Sequence, residues 1–264
     1  MAAIRGKWAL VTGASSGLGA DFARRLGERG VNTVLVARRE EPMQELSAEL
    51  AERYRVQAVV VPMDLAEADA PRKLFDQLTA DGVEIEILIN NAGFGIYGDF
   101  VDITWERERE MLQLNIVTLT ELTKRFLKPM VERGSGHVLQ VASVAAYQPS
   151  PTYAAYSATK AYVLSFGEAV AHELRGTGVT MTVLSPGAVA TEFLKVAGQR
   201  PQFAQRISMI PSRAVTEAGV RAMLRGRASV VPGVVNILAV LATRLLPRRL
   251  LAMLADLTIR EPER

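Results

Sequence analysis

Short runs of aliphatic and β-branched residues alternate with longer amphipathic stretches through the first two-thirds of this chain. Trp8-Ala9-Leu10-Val11 reads as a strand and breaks into a glycine-rich turn. Phe22, Ala23, Leu26 and Gly27 then fall on one helical stripe. Thr33-Val34-Leu35-Val36 is a second strand, and Met43, Leu46, Leu50 and Tyr54 repeat at helical spacing. Gln57–Pro62, Ile85–Ile89, Val138–Val141 and Thr180–Leu184 read as four further strands. Strands that are apolar throughout, rather than alternating, are buried on both faces, which is the pattern of a parallel sheet covered by helices. Right-handed crossovers then give a doubly wound α/β fold. No internal repeat and no linker divides the chain, so one domain over residues 1–264 is expected. From about Val196 onward the alternation is expected to fade.

Composition narrows the chemistry. The 264 residues are 49% hydrophobic and 22% charged, which suits one substantial core and argues against global disorder. The absence of cysteine excludes disulfides, thiolate metal sites and cysteine nucleophiles. His137 and His172 are the two histidines, too few for most zinc sites, and both read as structural, so no metal is expected. No apolar signal-peptide core opens the chain, and a cytoplasmic location is the expectation.

Tyr156 and Lys160 stand four residues apart, which places a phenol and an ammonium on one helical face. A phenol titrates near ~10, and a neighbouring cation would pull it down towards use as an acid or base. The first strand ends in Thr12-Gly13-Ala14-Ser15-Ser16-Gly17-Leu18-Gly19. Glycines between a strand and a helix let the backbone approach a phosphate, and the helix N-terminus stabilises its charge; a plain tight turn is the simpler alternative. The second strand ends in Arg38-Arg39, where a dinucleotide fold would place an acid for the ribose hydroxyls. Two arginines suit a 2′-phosphate instead, or else begin a solvated helix beside Glu40 and Glu41. Asp64-Leu65 follows the third strand, where the carboxylate either meets an adenine amino group or caps a helix. Asn90-Asn91-Ala92-Gly93 follows the fourth strand, and amide and small side chains there fit the crevice of an open sheet.

With Thr12-Gly13-x3-Gly17-x-Gly19, Asp64, Asn90-Asn91-Ala92-Gly93, Asn115, Ser143, Tyr156-x3-Lys160 and Pro186-Gly187-x3-Thr191 in this order, the chain resembles the short-chain dehydrogenase/reductase family in its compact single-domain branch. The resemblance spans roughly residues 8–195. It implies a Rossmann fold and a catalytic tetrad of Asn115, Ser143, Tyr156 and Lys160. Tyr156 would exchange a proton with the substrate oxygen. Lys160 would lower the Tyr156 pKa and hold the nicotinamide ribose. Ser143 would hydrogen-bond the substrate oxygen, and Asn115 would perturb its helix and hold a water behind Lys160. Read singly, Ser143 is equally a helix cap and Asn115 a satisfied polar group. The implied cofactor is NADP(H), held by Gly13, Ser15, Ser16, Gly17, Leu18, Gly19, Arg38, Arg39, Asp64, Leu65, Asn91, Ala92 and Gly93. Tyr156, Lys160, Pro186, Gly187, Val189 and Thr191 would complete that set. Tyr153 lacks a lysine four residues on and reads as a wall of the substrate cleft. A mobile lid is expected from Glu192 to about Ser212, with Phe193, Leu194 and Phe203 as its apolar contacts.

The implied reaction interconverts a lipophilic ketone and a secondary alcohol, in a homodimer or homotetramer formed partly through the Tyr156 helix. An epimerase or dehydratase on the same fold is the alternative, and a cofactor-binding regulator without turnover a more distant one. Residues 192–264 would be the variable, helical part that chooses the substrate. Residues 196–264 hold eleven arginines, no lysine and four acids, a net charge of +7 against −4 for the rest of a chain whose total is +3. Val230–Leu257 is strongly apolar, yet Pro247, Arg244, Arg248 and Arg249 leave no uninterrupted stretch long enough to span a bilayer. Three roles for it stay open: a subunit contact, a cover over the substrate cleft, or peripheral contact with a membrane surface. No nucleic-acid recognition motif appears, and nucleic acid is not an expected partner.

Overall fold

The computed structural model describes residues 4–189, 193–200, 202 and 209–260. Seven parallel strands form one sheet in the order β3-β2-β1-β4-β5-β6-β7. They are β1 (Trp8–Thr12), β2 (Asn32–Ala37), β3 (Ala58–Pro62), β4 (Ile85–Asn90), β5 (Gly136–Val141), β6 (Val179–Leu184) and β7 (Ser229–Val230). Every residue of β4 is buried, the polar Glu86 and Asn90 included, whereas the edge strand β3 exposes Val59 and Pro62. The helices are α1 (Gly17–Gly27), α2 (Glu41–Tyr54), α3 (Ala70–Ala80), α4 (Trp105–Leu112), α5 (Leu119–Arg133), α6 (Ala154–Glu173), α7 (Phe193–Ala197), α8 (Ser212–Leu224), α9 (Val234–Ala242) and α10 (Arg248–Ile259).

The two faces of the sheet carry separate cores. On one, Phe22 and Leu26 of α1, Met43 and Leu50 of α2 and Val220 and Met223 of α8 pack against Val11, Leu35 and Ile89. On the other, Leu74 and Leu78 of α3 and Leu122, Phe126 and Met130 of α5 pack against Leu10, Val34 and Leu88. Helix α6 lies close on β6: a Cβ on Gly167 would stand 2.4 Å from Val183 Cγ2, so only glycine permits this approach. That closeness fixes the height of Tyr156 and Lys160 above the sheet. His137 bridges β5 to β6 by a 2.7 Å contact with Thr180 Oγ1, and burial lowers its pKa, in keeping with a structural role.

The C-terminal quarter does not abandon the βα rhythm as expected. Helix α8 and strand β7 add one more unit, with Leu184 beside Val230. The strand escapes a periodicity reading because it is two residues long. Strand order reverses between β1 and β4, the point at which an open parallel sheet leaves a crevice at its C-terminal edge.

Candidate active site

The ends of β1 and β4 are tied together at that crevice. Thr12 Oγ1 donates to the Ile89 carbonyl at 3.2 Å and accepts the Asn91 and Ala92 N–H groups, each at 3.0 Å. Asn91 Nδ2 returns a bond to the Thr12 carbonyl at 2.9 Å. Between them the glycine turn is drawn against α1: a Cβ on Gly19 would stand 2.1 Å from the Gly13 carbonyl oxygen. Asn90 takes no part in the crevice. Its side chain turns into a buried cluster with Thr123 and Gln140.

A cavity of about 720 Å³ opens here. The candidate residues of the sequence line it, apart from Asn115, Gly19 and Thr191. Asn115 sits just behind its wall, Gly19 packs beneath the turn, and Thr191 lies outside the described residues, as does Phe203 of the expected lid. At one end of the cavity, Ser16 precedes α1 without a side-chain cap, and no acid stands in the first turn. An uncapped helix N-terminus of this kind attracts negative charge. Arg39 Nη2 reaches Ser15 Oγ at 3.4 Å on its rim. Arg38 stands 3.4 Å from Glu110 and 3.9 Å from Asp64. Glu110, on α4 and far away in sequence, carries no signal near the second strand. Asp64 Oδ1 accepts the Ala66 N–H at 2.9 Å within a turn, and the N-cap of the next helix is Asp69, so Asp64 does not cap that helix.

At the other end, α6 presents Tyr156 and Lys160, both buried. Ser143 lies near enough to the Tyr156 hydroxyl to favour its charged form. Ser143 accepts the Ala145 N–H at 3.1 Å and caps the short 3-10 turn Val144–Tyr147, as its capping reading has it. Lys160 Nζ donates to the Val141 carbonyl at 2.8 Å and stands 5.8 Å from the centroid of the Tyr156 ring. Burial pushes the phenol up to about 12, with Ser143 opposing it, and pushes the lysine down to about 8. The expectation that Lys160 lowers the Tyr156 pKa is therefore corrected here. Desolvation disfavours both charged forms and outweighs an ammonium directed at a carbonyl.

Asn115 lies in a π-helical segment, Gln113–Thr118, between α4 and α5. Such one-turn bulges gather at functional sites. Its amide is committed on both sides: Oδ1 accepts the Phe94 N–H at 3.2 Å, and Nδ2 donates to the Phe94 carbonyl at 2.9 Å and Thr159 Oγ1 at 3.1 Å. It thereby clamps the loop after β4 to α6, with Gly93 wedged beside it. A Cβ on Gly93 would stand 2.8 Å from Asn115 Oδ1 and 3.5 Å from Lys160 Nζ.

The roof over Tyr156 is aromatic. Phe193 and Tyr153 place their ring centroids 5.4 and 5.6 Å from that of Tyr156, and Tyr97 stands 5.6 Å from Tyr153. Sequence reasoning missed Gln199, which joins three elements. Its Oε1 accepts the Tyr153 hydroxyl at 3.0 Å, and its Nε2 donates to the Ile259 carbonyl at 2.8 Å. It also missed Val235, Asn236 and Ala239 of α9 and Thr258 and Ile259 of α10, all on the cavity wall. Of the three open roles for the C-terminal segment, covering the cleft describes its inner side. Asn236 is the closest fitted, for a Cβ on Gly187 would stand 2.4 Å from its Oδ1. Among the described residues no cluster of three or more His, Cys, Asp or Glu side chains is placed to hold a metal.

The sequence pattern of the short chain dehydrogenase family matches residues 7–202. The chain is 31% identical over 216 residues to a 7beta-hydroxysteroid dehydrogenase of Collinsella aerofaciens, covering 81% of each protein. It is 32% identical over 204 residues to a very-long-chain 3-oxoacyl-CoA reductase of Anas platyrhynchos, covering 75% of this chain and 64% of that one. A solved short-chain dehydrogenase from Sphingobium yanoikuyae in complex with NADPH superposes with a TM-score of 0.81 at 28% identity, over 98% of both chains.

Proposed function

The chain belongs to the short-chain dehydrogenase family of oxidoreductases, and from that premise we propose that it is an NADP(H)-dependent reductase interconverting a lipophilic ketone and its secondary alcohol. One observation carries the reading. A buried phenol shares a cavity wall with Ser143 and Lys160, and that cavity runs on to the uncapped N-terminus of α1.

The residues fit a nicotinamide dinucleotide. The α1 N–H groups and the glycine turn suit its pyrophosphate, Arg38 and Arg39 a 2′-phosphate, Lys160 its ribose, and Pro186, Gly187 and Val189 its carboxamide end. When bound, such a cofactor supplies or accepts the hydride. The side chains manage the oxygen and its proton. Ser143 donates to the substrate oxygen and holds it beside Tyr156. Tyr156, held protonated by burial, gives its proton to that oxygen as charge develops there, which favours the reductive direction. Lys160, held on the Val141 carbonyl, stands ready for the ribose, while Asn115 keeps the Phe94 loop and α6 in register.

Phe94, Tyr153, Phe193, Val196, Val235 and Ile259 give the substrate end of the cavity an apolar wall. The named substrate classes of the two curated relatives, a hydroxysteroid and a long acyl thioester, share bulk and low polarity. That likeness supports a hydrophobic ketone here. Residues 192–264 are the substrate-choosing part of one domain in this proposal. A homo-oligomer built through α6 also belongs to it, and Tyr162 stacked on Phe166 offers that helix an outward contact. The test is reduction of ketones of graded chain length with NADPH and with NADH. Rates that rise with apolar bulk and prefer NADPH are expected. Turnover confined to small polar alcohols with NAD would overturn the proposal.

A further inference from the structure

Helices α9 and α10 have two dissimilar sides. Asn236 and Val240 of α9, with Leu251 and Ala255 of α10, are buried against the domain. The outer side carries Val234 (72% exposed), Leu238 (61%), Leu241, Leu245 (85%), Met253, Leu254 and Leu257 (74%). Positions 234, 238 and 241 recur at helical spacing and make one stripe on α9, and Leu245 lies in the turn that follows. A contiguous apolar surface beyond roughly a few hundred Å² is rare on a soluble monomer and marks a contact site.

Charge says what covers it. No acid occurs between Glu217 and Asp256, while Arg244, Arg248 and Arg249 stand exposed in and beside the turn joining the two helices. Asp256 is bonded to Arg260 at 2.8 Å and does not neutralise them. A second copy seated on this face about a two-fold axis would bring two such arginine sets together, with no acid from residues 218–255 to separate them. Apolar side chains with exposed arginines at the turn between their helices fit instead an interfacial membrane anchor, in which acyl chains take the leucines and anionic headgroups the guanidiniums. Among the described residues no helix is long and apolar enough to cross a membrane, so the contact is with its surface. The cavity opens beside this face: Val235, Ala239 and Thr258 line it and are exposed as well.

We propose that the outer face of α9 and α10 docks on an anionic lipid surface, bringing the mouth of the cavity against the bilayer. Docking needs neither cofactor nor substrate, so its failure would leave the reductase reading standing, and the reverse.

The test is co-sedimentation of the full chain with vesicles of phosphatidylcholine alone and of phosphatidylcholine with an equal part of phosphatidylglycerol. Wild type is expected to pellet with the mixed vesicles and to be released as salt screens the arginines. Arg244→Gln, Arg248→Gln and Arg249→Gln together should weaken that binding by on the order of a hundredfold. Leu238→Gln, Leu241→Gln and Leu245→Gln together should abolish it; none of these leucines lines the cavity. Circular dichroism checks that the variants fold, and if the leucine variant does not, wild type and the arginine variant decide. Wild type left in the supernatant with mixed vesicles overturns the proposal. So does a leucine variant that loses solution mass while wild type shows no preference for the anionic lipid, which would make the face a subunit contact.

Discussion

Lys160 directs its ammonium at the Val141 carbonyl, 2.8 Å away, and leaves the Tyr156 ring centroid at 5.8 Å. The two groups are neighbours in a dry site without being an ion pair. Lys160 is pushed down to about 8 from the ordinary 10.5, so between those values the unfolded chain binds a proton that the folded one has released. Stability therefore rises with pH through that window, while Tyr156, pushed up to about 12, acts in the opposite sense only above its ordinary 10. Urea unfolding of wild type and Lys160→Met just below pH 8 and near pH ~9.5 should show wild type gaining on the order of 2 kcal/mol relative to the variant. Parallel curves for the two proteins would mean that the lysine keeps its proton in the fold.

Tyr156→Phe removes the acid and keeps the ring packing of Phe193 and Tyr153. Turnover should fall by roughly 10²–10⁴, while quenching of intrinsic fluorescence by NADPH persists. Ser143→Ala should cost less, since it removes the hydroxyl that opposes the upward shift of the phenol and leaves the phenol itself. Single-turnover rates compare the two. A phenylalanine variant with most of its rate would end the proton-donor assignment.

What the sequence discloses depends on how far the informative residues lie apart in the chain. β1, β2 and β4 carry mostly aliphatic runs because they are buried on both faces, and a local pattern reveals them. The glycine turn and the Tyr156–Lys160 pair are local for the same reason. Glu110 facing Arg38, Gln199 reaching Tyr153 and Ile259, and Asn236 behind Gly187 are products of tertiary folding, with no local pattern to announce them. The direction of the Tyr156 shift was misread because spacing reports a cation nearby but not where it points or how dry the site is. The length of β7 hid it, and the apolar C-terminal run read the same whether it faced the cavity or the outside.

Cofactor choice should follow Arg39 more closely than Arg38. Arg39 touches Ser15 beside the α1 N-terminus, whereas Arg38 is partly engaged by Glu110 and Asp64. Arg39→Ala should weaken NADPH by roughly tenfold to a hundredfold and leave NADH nearly unchanged, the scale of one charge-assisted hydrogen bond. Glu110→Gln should release Arg38 and tighten NADPH modestly. Titrations of both nucleotides measure each, and equal losses for NADPH and NADH would remove the 2′-phosphate assignment.

Gln199 makes the substrate roof one body. Its amide spans the Tyr153 hydroxyl and the Ile259 carbonyl, so the helix that carries the acid and the helix that closes the chain are held through one buried side chain. Gln199→Leu keeps the volume and removes the bonds to the Tyr153 hydroxyl and the Ile259 carbonyl, a loss of about 1 kcal/mol for each. The roof should loosen where a long ketone leans on it, and a small ketone should hardly notice. KM for bulky substrates is then expected to rise about tenfold or more, with kcat for a short ketone close to wild type. Arg260→Ala is the contrasting variant. It breaks the bonds from Arg260 to Asp99 at the outer rim, an exposed pair worth roughly 0–1 kcal/mol, and should shift KM little. A Gln199→Leu protein that loses kcat equally on short and long ketones would place this residue in the alignment of Tyr156 rather than in the choice of substrate.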